Sequence, residues 1–371
     1  MNEGPHSLVP VSEMTNVEQI ETGLVDSLIQ EFGINVDSTK QVSPKRRELN
    51  GDTRIYEVEH SSLRAYIIDT PMCRTIACHP SVVGDELEKL ALGAAERALP
   101  AILEFSGIDD PRNNGTLVFE QILRAAPGYQ LHEAATRLIP GSFKTVYVRP
   151  RYTHTSYRDH DGMLQRQLNI VYEDFSNLPR NSDIVLVMQD TVASSKSAEL
   201  SLETAVSRAE KVGSRITMWI LYGFIALKGL KLLEKTASRF GIPMLAFAMG
   251  NLTALCANNY DMPLYGVDEW LWRKDHSISK LGALIDIATF ADYVRELIPG
   301  SDQPGDWSAR QSRLFTGTAF EKGNIAEHLE NSTRLIESLR EIGTFTDWQD
   351  QLANQEIERL RAALTATRAG Q

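Results

Sequence analysis

Between residues 116 and 248, short apolar runs alternate with stretches of helical periodicity, and this alternation constrains the chain more than any other feature. Strand-like runs stand at 116–122, 144–148, 167–172, 184–188, 215–222 and 243–248, and helical spacing at 129–138, 198–212 and 227–240. Strands and helices in turn imply parallel βαβ units. They predict an α/β fold with a doubly wound sheet flanked by helices and a ligand at the carboxyl ends of its strands. The longest apolar run, 216–227, stops at Lys228, too short for a bilayer span, and reads as a buried strand followed by a helix. Upstream, residues 84–99 carry Leu87, Leu90, Leu92 and Ala95 at helical spacing, and Pro100 closes that helix or lies just beyond it.

A chain of 371 residues is long for one domain, so one core with additions, or two domains, is expected. The division read from the pattern is a polar N-terminal extension at 1–50, a core at 51–274 and a mostly helical C-terminal extension at 275–371. The first extension holds an amphipathic stretch at 17–32. The last has helical sequence at 281–297 and 325–366, read as a cap or dimer arm. With 42% hydrophobic and 23% charged residues the composition is that of an ordinary globular chain. A net charge of −11 argues against nucleic acid or an anionic membrane as partner. Cys73, Cys78 and Cys256 show neither metal-ligand spacing nor a disulfide framework, and residues 1–20 lack a basic and an apolar leader region. A cytoplasmic setting is expected, and no metal-ligating residues are assigned.

The segment richest in chemistry runs from Ile184 to Ser197, an apolar strand passing through Gln189 and Asp190 into small and hydroxyl residues and then a helix. A helix N-terminus offers free N–H groups and the positive end of the helix dipole, and serine hydroxyls add donors suited to a monophosphate. Asp190, four residues before Ser194, stands where a carboxylate can accept hydrogen bonds from sugar hydroxyls. Together these features suggest a ribose phosphate, although an N-capped helix gives the same pattern. The glycine spacing of a P-loop and of a dinucleotide fingerprint is missing.

In its middle the chain resembles the type I phosphoribosyltransferases, and among them uracil phosphoribosyltransferase. Several landmarks carry the resemblance: Glu57-Val58-Glu59-His60 and the helix ending Glu96-Arg97, similar to an opening strand and first helix; Leu123-Arg124-Ala125 with Gly128-Tyr129, similar to a pyrophosphate loop; Leu138-Ile139-Pro140 and Val146-Tyr147-Val148-Arg149, similar to a helix end and the strand entering a mobile loop; the strand and acid before the serine loop; the stretch from Ile225 to Gly229; and Tyr260-Asp261-Met262-Pro263 with Leu264-Tyr265-Gly266, similar to a base-binding loop. The likeness covers roughly residues 55–270. It implies the type I phosphoribosyltransferase fold with a mobile β-hairpin loop, phosphoribosyl pyrophosphate (PRPP) with Mg2+ as donor, a small-molecule acceptor and a homodimer. By the same resemblance Arg124 and Arg149 take the leaving pyrophosphate and Asp190 the ribose. Gln189, Ala193, Ser194, Ser195, Lys196 and Ser197 form the donor's phosphate loop, and Tyr260, Pro263, Tyr265, Gly266 and Asp268 hold the acceptor.

Several residues depart from that pattern. Gln189 replaces the first acid, Ser195 and Lys196 replace loop glycines, and Ala126-Pro127 replaces Gly-Leu. A second proline-glycine segment at 298–306 also fits the base loop, with the earlier one preferred. An acceptor other than uracil is therefore expected, an aminosugar being one that suits an acidic chain. Uracil salvage forming UMP, and a catalytically lapsed protein that binds phosphoribosyl ligands, are the alternatives. The polar stretch 151–162, with Tyr157, Arg158 and His160, reads as an active-site lid, and Trp270 and Trp272 as core aromatics.

Overall fold

The computed structural model describes residues 22–45, 51–59, 63–108, 116–154, 166–342 and 345–369. Residues Tyr157, Arg158 and His160 of the expected lid lie outside them. Nine strands make the main sheet: β1 (Thr39–Val42), β2 (Arg54–Val58), β3 (Ala65–Asp69), β4 (Thr116–Ile122), β5 (Phe143–His154), β6 (Arg166–Asp174), β7 (Asp183–Gln189), β8 (Arg215–Ala226) and β9 (Met244–Thr253). Their order across the sheet is β1-β2-β3-β9-β8-β7-β4-β5-β6. The six from β3 to β5 are parallel neighbours, while β1, β2 and β6 add antiparallel edges.

Alternation of side chains along the strands gives the sheet two apolar faces. Leu117, Phe119, Val185 and Val187 face a cluster covered by α2 (Pro71–Cys78), α3 (Gly84–Phe105) and α4 (Leu131–Leu138). Val118, Leu186 and Met188 face the opposite cluster, beneath α5 (Lys196–Lys211) and α6 (Leu227–Arg239). From β4 the chain passes through α4 to β5 on one side, and from β7 through α5 to β8 on the other. The winding thus reverses between β4 and β7, which opens a crevice at their carboxyl ends.

Helix α3 does not stop at Pro100 but continues to Phe105. Buried Ala98, Leu99, Ala101, Ile102 and Leu103 flank the proline, and their packing outweighs one missing backbone hydrogen bond. The N-terminal α1 (Thr22–Phe32) sinks Val25, Leu28 and Phe32 into the first cluster, and β1 belongs to the sheet itself. Beyond β9 come β10 (Tyr265–Val267), α7 (Glu269–Asp275), β11 (Lys280–Gly282), α8 (Ile287–Val294) and the hairpin β12 (Leu314–Phe315) to β13 (Phe320–Glu321). The stretch 281–297, expected to be helical throughout, starts in β11, and its helix begins only where Asp286 accepts hydrogen bonds from the amides of Ala288 and Thr289. Finally α9 (Ile325–Glu341) and α10 (Asp347–Ala369) form a hairpin with its own apolar seam, including Leu329, Leu339, Ile357 and Leu360.

A fully buried arginine ties this C-terminal part to the core. Arg310 donates to the carbonyls of Ile76, His79 and Val82 at 3.0, 3.1 and 3.1 Å and to that of Pro304 at 3.0 Å. Each of those carbonyls would otherwise be a desolvated acceptor.

Candidate functional site

Beyond the end of β7 the chain stays extended beside β8. The amides of Asp190 and Val192 donate to the carbonyls of Tyr222 and Phe224 at 3.0 and 2.8 Å. Gly223, with φ of 147°, makes this approach possible, since a Cβ there would lie 2.1 Å from the Asp190 carbonyl oxygen. The chain then turns through Ser195 in the left-handed region, φ 70°, and α5 begins at Lys196. Among the described residues no side chain caps the first turn of α5. Ser195 is 6% exposed, and its hydroxyl is buried and finds no partner there either. Ser194 and Ser197 are half-buried and Lys196 exposed. An uncapped helix start with the dipole behind it and an unspent buried hydroxyl beside it is equipped to bind a compact anion.

Asp190 stands at the mouth of this turn, half-buried. Burial pushes its carboxyl up to about 7, opposed by one hydrogen bond from the Thr191 amide. Strand alternation puts Glu120 of β4 on the same face of the sheet, with its Cα opposite Met188. Glu120 is fully enclosed, neither of its oxygens meets a partner among the described residues, and burial together with the Asp190 charge pushes it up to about 8. Two carboxyls that resist ionisation therefore share this face of the sheet, Asp190 just past the end of β7 and Glu120 enclosed within β4. Glu120 sits inside a strand legible from sequence, but nothing in the alternating pattern marks a buried acid as unpaired.

Gln189 points to the other face and spends all its polar atoms there. Its oxygen accepts from the Leu131 amide at 2.7 Å, and its nitrogen donates to Gln121 Oε1 at 2.7 Å and His132 Nδ1 at 3.0 Å. Of the remaining loop residue, Ala193, the carbonyl oxygen packs where a Cβ on Gly229 would come within 2.3 Å.

Arg124 and Arg149 are both engaged by the β12–β13 hairpin. Arg124 pairs with Glu321 at 2.6 Å, and Arg149 Nη1 donates to the Thr316 carbonyl at 3.3 Å. Arg124 thus sits just past the end of β4 and Arg149 within β5, at its irregularity beside Pro150, with acceptors 197 and 167 positions away, a meeting no local sequence pattern announces.

The five residues expected to hold an acceptor are placed differently from one another. Tyr260 is 59% exposed, while Pro263, Tyr265, Gly266 and Asp268 are buried. Tyr265 meets Phe32 and Phe290 edge-on at 5.3 and 5.5 Å in the core. Gly266 packs against Gly300, and Asp268 caps α7 by accepting from the Leu271 amide at 3.1 Å while its other oxygen accepts from the Ala257 amide at 2.8 Å. The two candidate base segments come together: Asp302 accepts from the Met262 amide at 2.7 Å and the Gly300 amide donates to Tyr265 O at 2.7 Å. Between them and α9 opens a cavity of about 300 Å³, with Tyr260, Asp261, Asp302 and Asp306 on one side and α9 residues from His328 to Ile336 on the other. Partial burial and the neighbouring Asp306, Asp302 and Asp261 hold the Tyr260 hydroxyl above the ordinary phenol range. Trp270, expected in the core, is exposed with the Lys274 ammonium 5.0 Å from its ring centre.

No group of three or more His, Cys, Asp or Glu side chains among the described residues is arranged to hold a metal ion. No helix among them is long and apolar enough to cross a membrane.

No family model matches the sequence, and no curated protein matches it. Solved structures similar to this chain include adenine phosphoribosyltransferase from Trypanosoma brucei in complex with AMP, pyrophosphate and ribose-5-phosphate, 10% identical over 53% of this chain and 86% of that one, with a TM-score of 0.31. Adenine phosphoribosyltransferase from Leishmania donovani is 12% identical over 60% and 89%, TM-score 0.31. Orotate phosphoribosyltransferase from Francisella tularensis is 12% identical over 57% and 80%, TM-score 0.26.

Proposed function

We propose that this protein is a phosphoribosyltransferase that takes PRPP as donor and passes the phosphoribosyl group to a small-molecule acceptor other than uracil. One observation carries the reading: the uncapped start of α5, with the buried and unpartnered Ser195 hydroxyl, follows within a few residues of Asp190 at the point where the sheet's winding reverses. In this arrangement the amides of the first turn and the serines bind the 5′-phosphate, and Asp190 accepts from the ribose hydroxyls.

The acceptor's nitrogen or oxygen attacks C1 of the ribose as the bond from C1 to the pyrophosphate oxygen breaks, and that electron pair leaves with pyrophosphate. The acceptor's proton passes to a carboxylate, and Asp190, held near neutrality, is suited to take it. Arg124 and Arg149, once released from the hairpin, grip the leaving group with paired N–H donors. Among the described residues no group of carboxylates could cage a magnesium ion, so an ion brought with the donor would take its oxygens mainly from the donor and water. When bound, it would neutralise charge on the pyrophosphate. The cavity beside Tyr260, lined by Asp261, Asp302 and Asp306, suits an amine-bearing acceptor such as an aminosugar.

The engagement of both arginines by β12–β13 favours a second reading, a protein that binds phosphoribosyl ligands without turnover. Calorimetric titration with PRPP and Mg2+ tests the common ground. Binding is expected, and about tenfold or greater weakening in Asp190→Asn and in Arg124→Ala. No binding by the intact chain contradicts both readings. Binding without pyrophosphate release from any amine or hydroxyl acceptor leaves the second.

A further inference from the structure

The α9 wall of the cavity beside Tyr260 comes from the C-terminal extension, and two of its polar side chains are unspent. His328 and Ser332 stand about one helical turn apart, both line the cavity, and they are only 4% and 9% exposed. His328 Nε2 lies 2.8 Å from the Pro80 carbonyl oxygen, which can only accept, so the ring proton is on Nε2 and Nδ1 carries the lone pair. Burial, reinforced by the Arg310 charge, brings the imidazole down to about 4, so it is neutral at neutral pH. Neither Nδ1 nor the Ser332 hydroxyl has a partner among the described residues. Buried polar groups that line a cavity are satisfied by whatever fills it.

Across the cavity stand three carboxyls, and each spends one oxygen on the protein. Asp261 Oδ2 accepts from Asn258 at 2.7 Å, Asp302 Oδ1 from the Met262 amide at 2.7 Å, and Asp306 Oδ1 from the Ser308 hydroxyl and the Ala309 amide at 2.9 and 3.1 Å. The second oxygen of each is uncommitted among the described residues. Burial, and then the charge of Asp261, push the Asp302 carboxyl well above the usual range, and a cation between such groups would relieve them. Leu335 and Ile336, further along α9, add an apolar patch. About 300 Å³ is at the low end for ligand cavities and admits one sugar-sized ring.

We propose that His328 and Ser332 determine specificity in this cavity, so that its ligand is a compact ring with an ammonium group toward the three aspartates and a hydroxyl toward α9. An ammonium offers three donors and no acceptor, which suits uncommitted carboxylate oxygens. A hydroxyl can donate to Nδ1 and accept from Ser332 at once, whereas a second ammonium could only donate. The inference rests on reading this cavity as the acceptor site, and it makes the C-terminal extension the part of the chain that selects the acceptor.

Calorimetry on the full chain without donor tests it, with glucosamine, glucose and cyclohexylamine as probes. Glucosamine is expected to bind at least about tenfold tighter than glucose, which lacks the charge, and than cyclohexylamine, which lacks the hydroxyls. Asp306→Asn, at an exposed residue whose Oδ1 bonds the amide can keep, should weaken both amines several-fold. His328→Phe and Ser332→Ala should each shrink the preference for glucosamine over cyclohexylamine while leaving cyclohexylamine affinity unchanged, a contrast that a merely structural role would not produce. If His328→Phe does not fold, Ser332→Ala carries the same contrast. The proposal is overturned if glucosamine does not bind, if either comparison probe binds equally well, or if the α9 substitutions leave the preference intact. PRPP titrated separately distinguishes the two claims: PRPP binding without glucosamine binding removes this inference alone, and glucosamine binding without PRPP binding removes the transfer reading and leaves an amine site.

Discussion

Replacing Glu120 with glutamine should stabilise the protein in alkali and leave it nearly unchanged in acid. The carboxyl is fully enclosed without a partner among the described residues, and burial, reinforced by Asp190, pushes it from 4.5 to about 8. Because the folded value lies above the unfolded one, the folded state holds the extra proton. Stability is then fully present below about pH 4.5 and falls through the window up to about pH 8, above which the loss is complete. The slope inside the window is about 1.4 kcal/mol per pH unit, and roughly 3.5 units cap the loss near 5 kcal/mol. Relaxation and water entry reduce this to about 2–4 kcal/mol, still a large share of the ~5–15 kcal/mol that holds a domain together. Glutamine keeps the shape and carries no charge to desolvate. Urea unfolding of both proteins near pH 5 and pH 9 should give matching stabilities at the lower pH and a variant more stable by about 2–4 kcal/mol at the higher. An equal difference at both pH values would mean that Glu120 is ionised or paired in the folded protein, and the reasoning would be wrong.

Three further outcomes follow from the same geometry. Ser195→Gly relieves a left-handed residue whose hydroxyl makes no bond in the protein, so thermal unfolding should shift upward by the equivalent of about 1 kcal/mol, while loss of the hydroxyl should weaken PRPP several-fold without abolishing binding, because the backbone amides remain. Glu321→Gln frees Arg124 from a solvent-exposed ion pair worth at most about 1 kcal/mol, so pyrophosphate affinity by calorimetry should rise by up to about fivefold. Arg310→Met strips the donors from the buried carbonyls of Ile76, His79, Val82 and Pro304, and denaturant unfolding should show a loss of about 3–5 kcal/mol or more.

Much of the sheet was legible because buried parallel strands read as uninterrupted apolar runs. The run 116–122 matches β4 residue for residue, and 184–188 lies within β7. Helix α3 outran its expected end because local propensity places a break at Pro100, whereas a row of alanines packed on the core holds the helix together. The serine turn was visible as a strand passing into small residues before a helix, and the left-handed Ser195 now stands where the resemblance places glycine. What sequence could not show were contacts made across long separations. The Gln189 network depends on Gln121 and His132, and the ties on Arg124 and Arg149 depend on a hairpin from the C-terminal third. Spacing along a chain carries no record of such meetings.

The most direct measurement is a crystal structure of the protein grown with ribose 5-phosphate. The account predicts phosphate oxygens on the amides of the first turn of α5 and on the Ser195 hydroxyl, with the ribose hydroxyls facing Asp190. A phosphate bound elsewhere, or an α5 start that stays empty at saturating ligand, would contradict it.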